Sequence, residues 1–272
     1  TAKRYKPKNK ADVDKISQAF AKMMQEDLTM KAVNDSANHQ TLLYGMGEKV
    51  IRQLIDRMAA GEALHEIRDL RGICYLCTQD EIPADSVSCA SFRKVAENKE
   101  SYAKAHQIQT EWQDAVYGKI IVQKQTDREY LVQNPPMPTL TREELDEVFR
   151  LPFARTYHPS YEKLGGVDAI KEVEFSIMQN RGCFGNCNFC AITFHQGRQV
   201  VSRSEESILQ EAEEMTRNPH FKGYIHDVGG PTANFRYPSC KKQLKYGLCQ
   251  NRKCLAPKPC PNMEIDHTEY VE

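Results

Sequence analysis

The stretch "NRGCFGNCNFCAITFHQGR", residues 180–198, constrains this chain more than any other. It sets Cys183, Cys187 and Cys190 within eight positions of one another. Disulfides between them would close very small loops, so ligation of a metal or cluster is the better reading. A cubane iron–sulfur cluster presents four irons, each taking one thiolate. Three local cysteines leave one iron open, the feature that separates a catalytic metal site from a closed structural one. A zinc site or three free thiols are the competing readings, although zinc normally takes four ligands in two separated pairs.

The flanks place these cysteines in a fold. "VEFSIMQNRG" reads as a strand running to Asn180. "SRSEESILQEAEEMTRN" reads as a helix capped by Ser204, with Glu205 and Glu206 at its positive end and Ile208, Ala212 and Met215 on its buried face. "GYIHDVGG" then supplies a second strand, parallel to the first. The result is a βαβ unit with its cysteines beyond a strand's carboxyl end, where parallel sheets and barrels build their sites.

Upstream, the spacing predicts a surface helix from Asn9 to about Met30. "TLLYGMGEKVIRQLIDRMAAGE" reads as strand, turn and helix, with Val50, Ile51, Leu54, Ile55 and Met58 on one face and Gly61 closing it, a unit of the doubly wound kind. Gly45 and Gly47 suit a tight turn; a dinucleotide loop lacks its third glycine, since Val50 stands there. Cys74 and Cys77 form a C-x-x-C inside an apolar run and read as core, with Cys89 further on. Lys119–Lys124 and Glu129–Gln133 read as a hairpin, and Thr141 with Glu144 as a capping box opening a helix through Phe149. Turn signals and a lack of periodicity place a linker over residues 151–168.

Lys plus Arg and Asp plus Glu both number 37, so no global field draws the molecule to nucleic acid or an anionic membrane. No apolar run is long enough to span a bilayer, and the basic first residues have no apolar segment behind them. The expectation is a soluble cytoplasmic protein. Because the chain begins without Met, it is also expected to be a piece of something longer.

The C-x3-C-x2-C spacing with Phe189 immediately before the last cysteine resembles the signature of the radical S-adenosylmethionine (SAM) superfamily, and more narrowly its YgiQ-type branch. The resemblance is carried by "RGCFGNCNFCAITFHQGR", "SRSEESI", "DVGGPTAN" and the cysteines at 240, 249, 254 and 260, and more loosely by "LVQNPPMP" and "YGMGEK". It implies a [4Fe-4S] cluster on Cys183, Cys187 and Cys190, with the open iron chelated by the amino and carboxylate groups of SAM, and Phe189, Gly229 and Gly230 at the cofactor. It further implies reductive cleavage of SAM to methionine and a 5′-deoxyadenosyl radical, fed by a reductant protein such as flavodoxin or ferredoxin. The implied fold is α/β: the remnant of a doubly wound, cobalamin-binding-like domain (residues 1–150), the linker (151–168), the first βαβ units of a truncated (β/α) barrel (169–239), and a Cys-rich, Lys/Pro-rich segment (240–272). Cobalamin itself is not expected, because the Asp-x-His-x-x-Gly motif that would ligate cobalt is absent.

Two departures stand out. Pro231 follows Gly229 and Gly230 where superfamily members commonly place a glutamate for the SAM amino group, leaving Asp227 as a candidate carboxylate. Only 42 residues follow Gly230, too few to complete a barrel, so the chain as given is expected to be incomplete for turnover. His195 and Arg198 lie in the cysteine loop and read either as cofactor or substrate contacts or as solvated loop residues. Cys240, Cys249, Cys254 and Cys260 stand in a segment too polar for a core, and zinc, a second cluster and reduced thiols all remain open for them. Lys241, Lys242, Lys245, Arg252, Lys253 and Lys258 around them suit an RNA-binding knuckle or a soluble loop. A zinc-dependent RNA-binding or structural module is therefore the alternative to an enzyme, with simple electron transfer as a third class. The substrate is not legible in the sequence.

Overall fold

The computed structural model describes residues 41–187, 189–230, 235–265 and 268. The helix expected over residues 9–30 lies outside them. Of three sheets among the described residues, two have their own apolar cluster and organise the chain.

The first sheet has the order β1-β2-β5-β4-β3 and is built from β1 (Thr41–Leu43), β2 (Ile73–Cys77), β3 (Val87–Ser88), β4 (Ile121–Lys124) and β5 (Tyr130–Gln133). Helix α1 (Glu48–Ala59) follows β1 after the turn at Gly45, whose φ of 77° is a left-handed conformation that glycine adopts without a Cβ clash. Val50 and Leu54 are its buried residues, and Val50 joins Ile73, Tyr75, Cys77, Val122 and Val132 in the core. Cys74 and Cys77 are both buried within β2, as the apolar run around them predicts. β4 and β5 pair antiparallel from Ile121↔Gln133 to Lys124↔Tyr130, which is the expected hairpin.

The doubly wound expectation does not hold for this sheet. β2 runs antiparallel to β1 and to β5, and only β3 and β4 pair in parallel. Periodicity identified the strand, turn and helix, but strand direction depends on the path after the helix. Here the connection 60–72, with its 3-10 turn Leu64–Glu66, carries the chain back before β2 begins.

Helices α2 (Phe92–Glu97) and α3 (Lys99–Trp112) follow β3 and are capped by Ser91 and Asn98. α4 (Arg142–Phe149) starts at the expected capping box, with the Thr141 hydroxyl accepting from Glu144 N and the Glu144 carboxylate from Thr141 N. The stretch read as linker contains the 3-10 helix Pro159–Leu164 and leads into the short α5 (Ile170–Val173).

The second unit has the expected βαβ form. β6 (Ser176–Met178) pairs in parallel with β9 (Asp227–Gly229), and α7 (Glu205–Thr216) lies between them in sequence, capped by Ser204. Phe175, Ile177 and Met215 form its core, with Ile208, Ala212, Phe221, Ile225 and Val228 packed against them. The described residues contain no closed barrel: this sheet has two strands. A separate ladder pairs β7 (Asn180–Arg181) with β8 (Val201–Ser202) antiparallel, and the cysteines occupy the excursion between them. Helices α6 (Ile192–Gln196) and α8 (Lys241–Tyr246) complete the described elements. No described helix is long and apolar enough to cross a membrane.

Candidate functional site

The cysteine loop leaves the carboxyl edge of β6, and two layers of hydrogen bonding close its base. Arg203 N donates to Gln179 O at 2.8 Å, and inside the β7–β8 ladder Cys183 N donates to Gly197 O at 3.1 Å. Gly182 makes this closure possible. Its φ is 84°, and a Cβ there would stand 2.1 Å from the Gln199 carbonyl oxygen. No other residue fits.

Within the loop Cys183 is buried, Cys190 partly buried and Cys187 exposed. Cys190 N donates to Cys187 O at 3.1 Å. A Cβ on Gly185 would lie 3.3 Å from Cys183 Sγ and 3.6 Å from Cys187 Sγ, so two sulfurs border one gap that glycine leaves open. Asn186 turns the chain there in a left-handed conformation, with φ 48°. Phe184 is buried and stacks on Phe235, centroids 3.8 Å apart, which fixes the backbone between the first two cysteines.

Among the described residues, both side-chain amide atoms of the fully buried Asn180, Gln179 Nε2 and, on α6, Thr193 Oγ1 have no hydrogen-bond partner. Groups of this kind cost free energy unless something satisfies them, and the adjacent Gln179 and Asn180 at the loop's base suit a polar ligand there. Gly229 is buried at the end of β9, while Phe189 is almost wholly exposed, at 93%. Asp227 pairs with Ser176 at the amino end of β9, the edge opposite the one from which the cysteine loop leaves, and is exposed. That placement does not suit the carboxylate role the sequence suggested for it. Pro231 lies outside the described residues.

His195 is exposed on α6, whereas Arg198 is half-buried. Burial lowers the Arg198 guanidinium, against the opposing pull of the nearby titratable groups Tyr117, Asp114, Cys254 and Cys249.

The N-terminal unit forms a wall of this site, which motif reading missed. Gln113 Nε2 donates to Phe194 O at 3.2 Å, and the His106 ring meets Phe194 at 5.3 Å. Asp114 accepts from Leu248 N at 3.0 Å. α4 packs on the other side, where Asp146 accepts from Ser204 N and Phe149 lies under the Arg203 guanidinium at 4.1 Å. Glu48 at the start of α1 pairs with Arg181 of β7. The weak pattern of α3 gave no signal of such a role. A cleft of about 290 Å3 lies between α3, the cysteine loop and residues 250–253, with Cys187 and His106 in its lining.

By contrast, Cys74 is remote from chemistry: burial pushes its thiol up to about 12, and burial also raises Cys77. Among the described residues no three Cys, His, Asp or Glu side chains are gathered closely enough to hold a single metal ion.

Comparison with known proteins agrees with the broader, radical SAM part of the resemblance. The chain is 51% identical over 241 residues to a UPF0313 protein of Clostridium botulinum (strain ATCC 19397 / Type A), covering 89% of this chain and 37% of that protein. It is 49% identical over 247 residues to a UPF0313 protein of Clostridium perfringens (strain 13 / Type A), covering 90% and 37%. The chain thus spans little more than a third of the length of the curated relatives it matches. No solved structure matches it. The family described as Radical SAM N-terminal matches residues 22–176, ending inside β6 just before the cysteine loop. With more than half of its residues matched, the chain belongs to the Radical SAM N-terminal family.

Proposed function

We propose that this chain is the cluster-bearing part of a cytoplasmic radical SAM enzyme of the YgiQ type, with Cys183, Cys187 and Cys190 as the ligands of a [4Fe-4S] cluster. The observation that carries the reading is the loop itself: Cys183 and Cys187 sulfurs border the gap at Gly185, in an excursion from the carboxyl edge of a parallel strand pair. The unpartnered Asn180 and Gln179 atoms support a polar ligand beside it. When bound, the cluster supplies the electron that splits SAM into methionine and a 5′-deoxyadenosyl radical, with flavodoxin or ferredoxin as the source of reducing equivalents.

The chain's own share is holding and shielding. Gly182 and the β7–β8 ladder set the direction in which the thiols leave the sheet. Phe184, stacked on Phe235, keeps water from the Cys183 side. Gly229 and Gly230 let backbone approach the nucleotide, and Phe189 offers an exposed ring to it. The substrate-selecting residues belong to the remainder of the longer protein.

Anaerobic reconstitution of the full-length form with iron and sulfide, followed by a search for 5′-deoxyadenosine from SAM under reduction, tests the reading. The expected result is a brown protein that yields the nucleoside, and replacing any of the three thiols by alanine abolishes the yield. A colourless protein carrying only zinc would instead favour the RNA-binding or structural alternative.

A further inference from the structure

Four more cysteines border a common cavity although the sequence spreads them from 240 to 260. Cys240, Cys249, Cys254 and Cys260 all line one cavity of about 50 Å3. Cys240 precedes α8 and makes no cap hydrogen bond from its side chain. Cys254 Sγ donates to Ser239 Oγ at 3.3 Å, and Cys260 N donates to Cys254 O at 2.8 Å. The segment is pinned at its ends, where Glu264 N donates to Ser239 O at 2.9 Å. Neither apolar core cluster contains a residue from this segment. All four thiols are free. A Lys- and Pro-rich stretch closed on itself without a core needs a cross-link, and reduced thiols around a void provide one by binding metal.

We infer that these four cysteines hold a second [4Fe-4S] cluster, separate from the one proposed at Cys183, Cys187 and Cys190. The inference goes beyond the proposed function and does not depend on it. Size selects the cluster over a single ion. A tetrahedral zinc with Zn–S near 2.3 Å needs its sulfurs within about 3.8 Å of each other, and no three described ligands are gathered for one ion. A void of about 50 Å3 has room for roughly three to five water-sized spheres. One ion would leave most of it unfilled. A cubane takes one thiolate at each of four irons, and four thiolates are present. Four thiolates around such a core leave net negative charge, and Arg198 and Arg252 line the same cavity to offset it.

The two sites are neighbours. Phe184 of the cysteine loop lines the four-cysteine cavity. Leu255 Cδ1 lies 3.9 Å from the Gly185 Cβ position, and Lys253 Nζ donates to Asn186 O at 3.1 Å. The second centre therefore holds the C-terminal segment against the first loop.

Iron counting after anaerobic reconstitution tests this directly. The full chain is expected to bind about eight irons, four per cubane. The triple variant C183A/C187A/C190A keeps about four, still brown and reducible to a paramagnetic cluster by electron paramagnetic resonance, without response to SAM. The quadruple variant C240A/C249A/C254A/C260A also keeps about four, and these do respond to SAM. Four irons in the wild type, with none left in the triple variant, would overturn the inference while leaving the proposed function intact. Stoichiometric zinc on the four cysteines would overturn it too. The wild-type count needs no variant to fold, and an eight-iron wild type whose spectrum does not respond to SAM would count against the proposed function alone.

Discussion

Glu211 is the residue whose loss the fold should feel most. Its carboxylate sits on α7 with 7% of the side chain exposed and pairs with both Arg203, wholly buried, and Arg155, 16% exposed. Arg203 also donates to Ser207 O at 2.7 Å and to Met178 O at 3.1 Å, so its hydrogen bonds are largely met, but its charge has this one carboxylate as its recorded ion-pair partner. Glu211→Ala strands a buried guanidinium, and breaking a buried pair in this way costs about 3–5 kcal/mol. That corresponds to a fall in Tm of about 6–20 °C. Glu211→Gln keeps an acceptor oxygen and loses less, about 1.5–3 kcal/mol. The control is Glu213→Ala on the same helix, whose pair with Arg217 spans 3.6 Å with both side chains 70% exposed; its loss is at most about 0.5 kcal/mol. Urea unfolding followed by far-ultraviolet circular dichroism measures all three, compared at constant m. Because Arg203 N closes the base of the cysteine loop through Gln179 O, iron uptake should fall in the same order. The reasoning is refuted if Glu211→Ala lies within about 1 kcal/mol of Glu213→Ala.

Gly182→Ala should destabilise by about 1–2 kcal/mol from its left-handed backbone alone, and its Cβ collision with Gln199 O should abolish iron loading; denaturant midpoint and iron content read the two effects. Iodoacetamide at pH 8 should label the exposed Cys187 of the apoprotein well before Cys74, whose thiol is pushed up to about 12 by burial; peptide mass spectrometry that found equal rates would contradict the burial. Glu81 accepts from Thr78 N and pairs with Arg68, which lowers its carboxyl from 4.5 to about 2. Its folded pKa is depressed, so its contribution is present above about 4.5 and fades as pH falls toward 2; Glu81→Gln should flatten that part of the acid-stability curve, measured by urea midpoint against pH. Thr141→Ala should cost about 1 kcal/mol by removing the hydroxyl that caps α4, and unchanged stability would deny the cap its role.

Local structure was readable from the residues alone. The Ser204 and Thr141 caps, the hairpin from Ile121 to Gln133 and the buried face of α7 each depend on neighbours a few positions away, where spacing translates directly into geometry. What spacing could not decide was direction and encounter. The connection 60–72 turned an expected parallel sheet into a mainly antiparallel one. α3, with no motif of its own, became a wall of the cysteine loop through His106 and Gln113. No local pattern marks Arg203 and Glu211 as partners, yet packing buries them as a pair, with the Phe149 ring of α4 against the Arg203 guanidinium. The four C-terminal cysteines had no recognisable spacing and still share one cavity. Sequence patterns report which face of an element is apolar, but only packing decides which elements meet, since that depends on loop paths and on free energy summed over the whole chain.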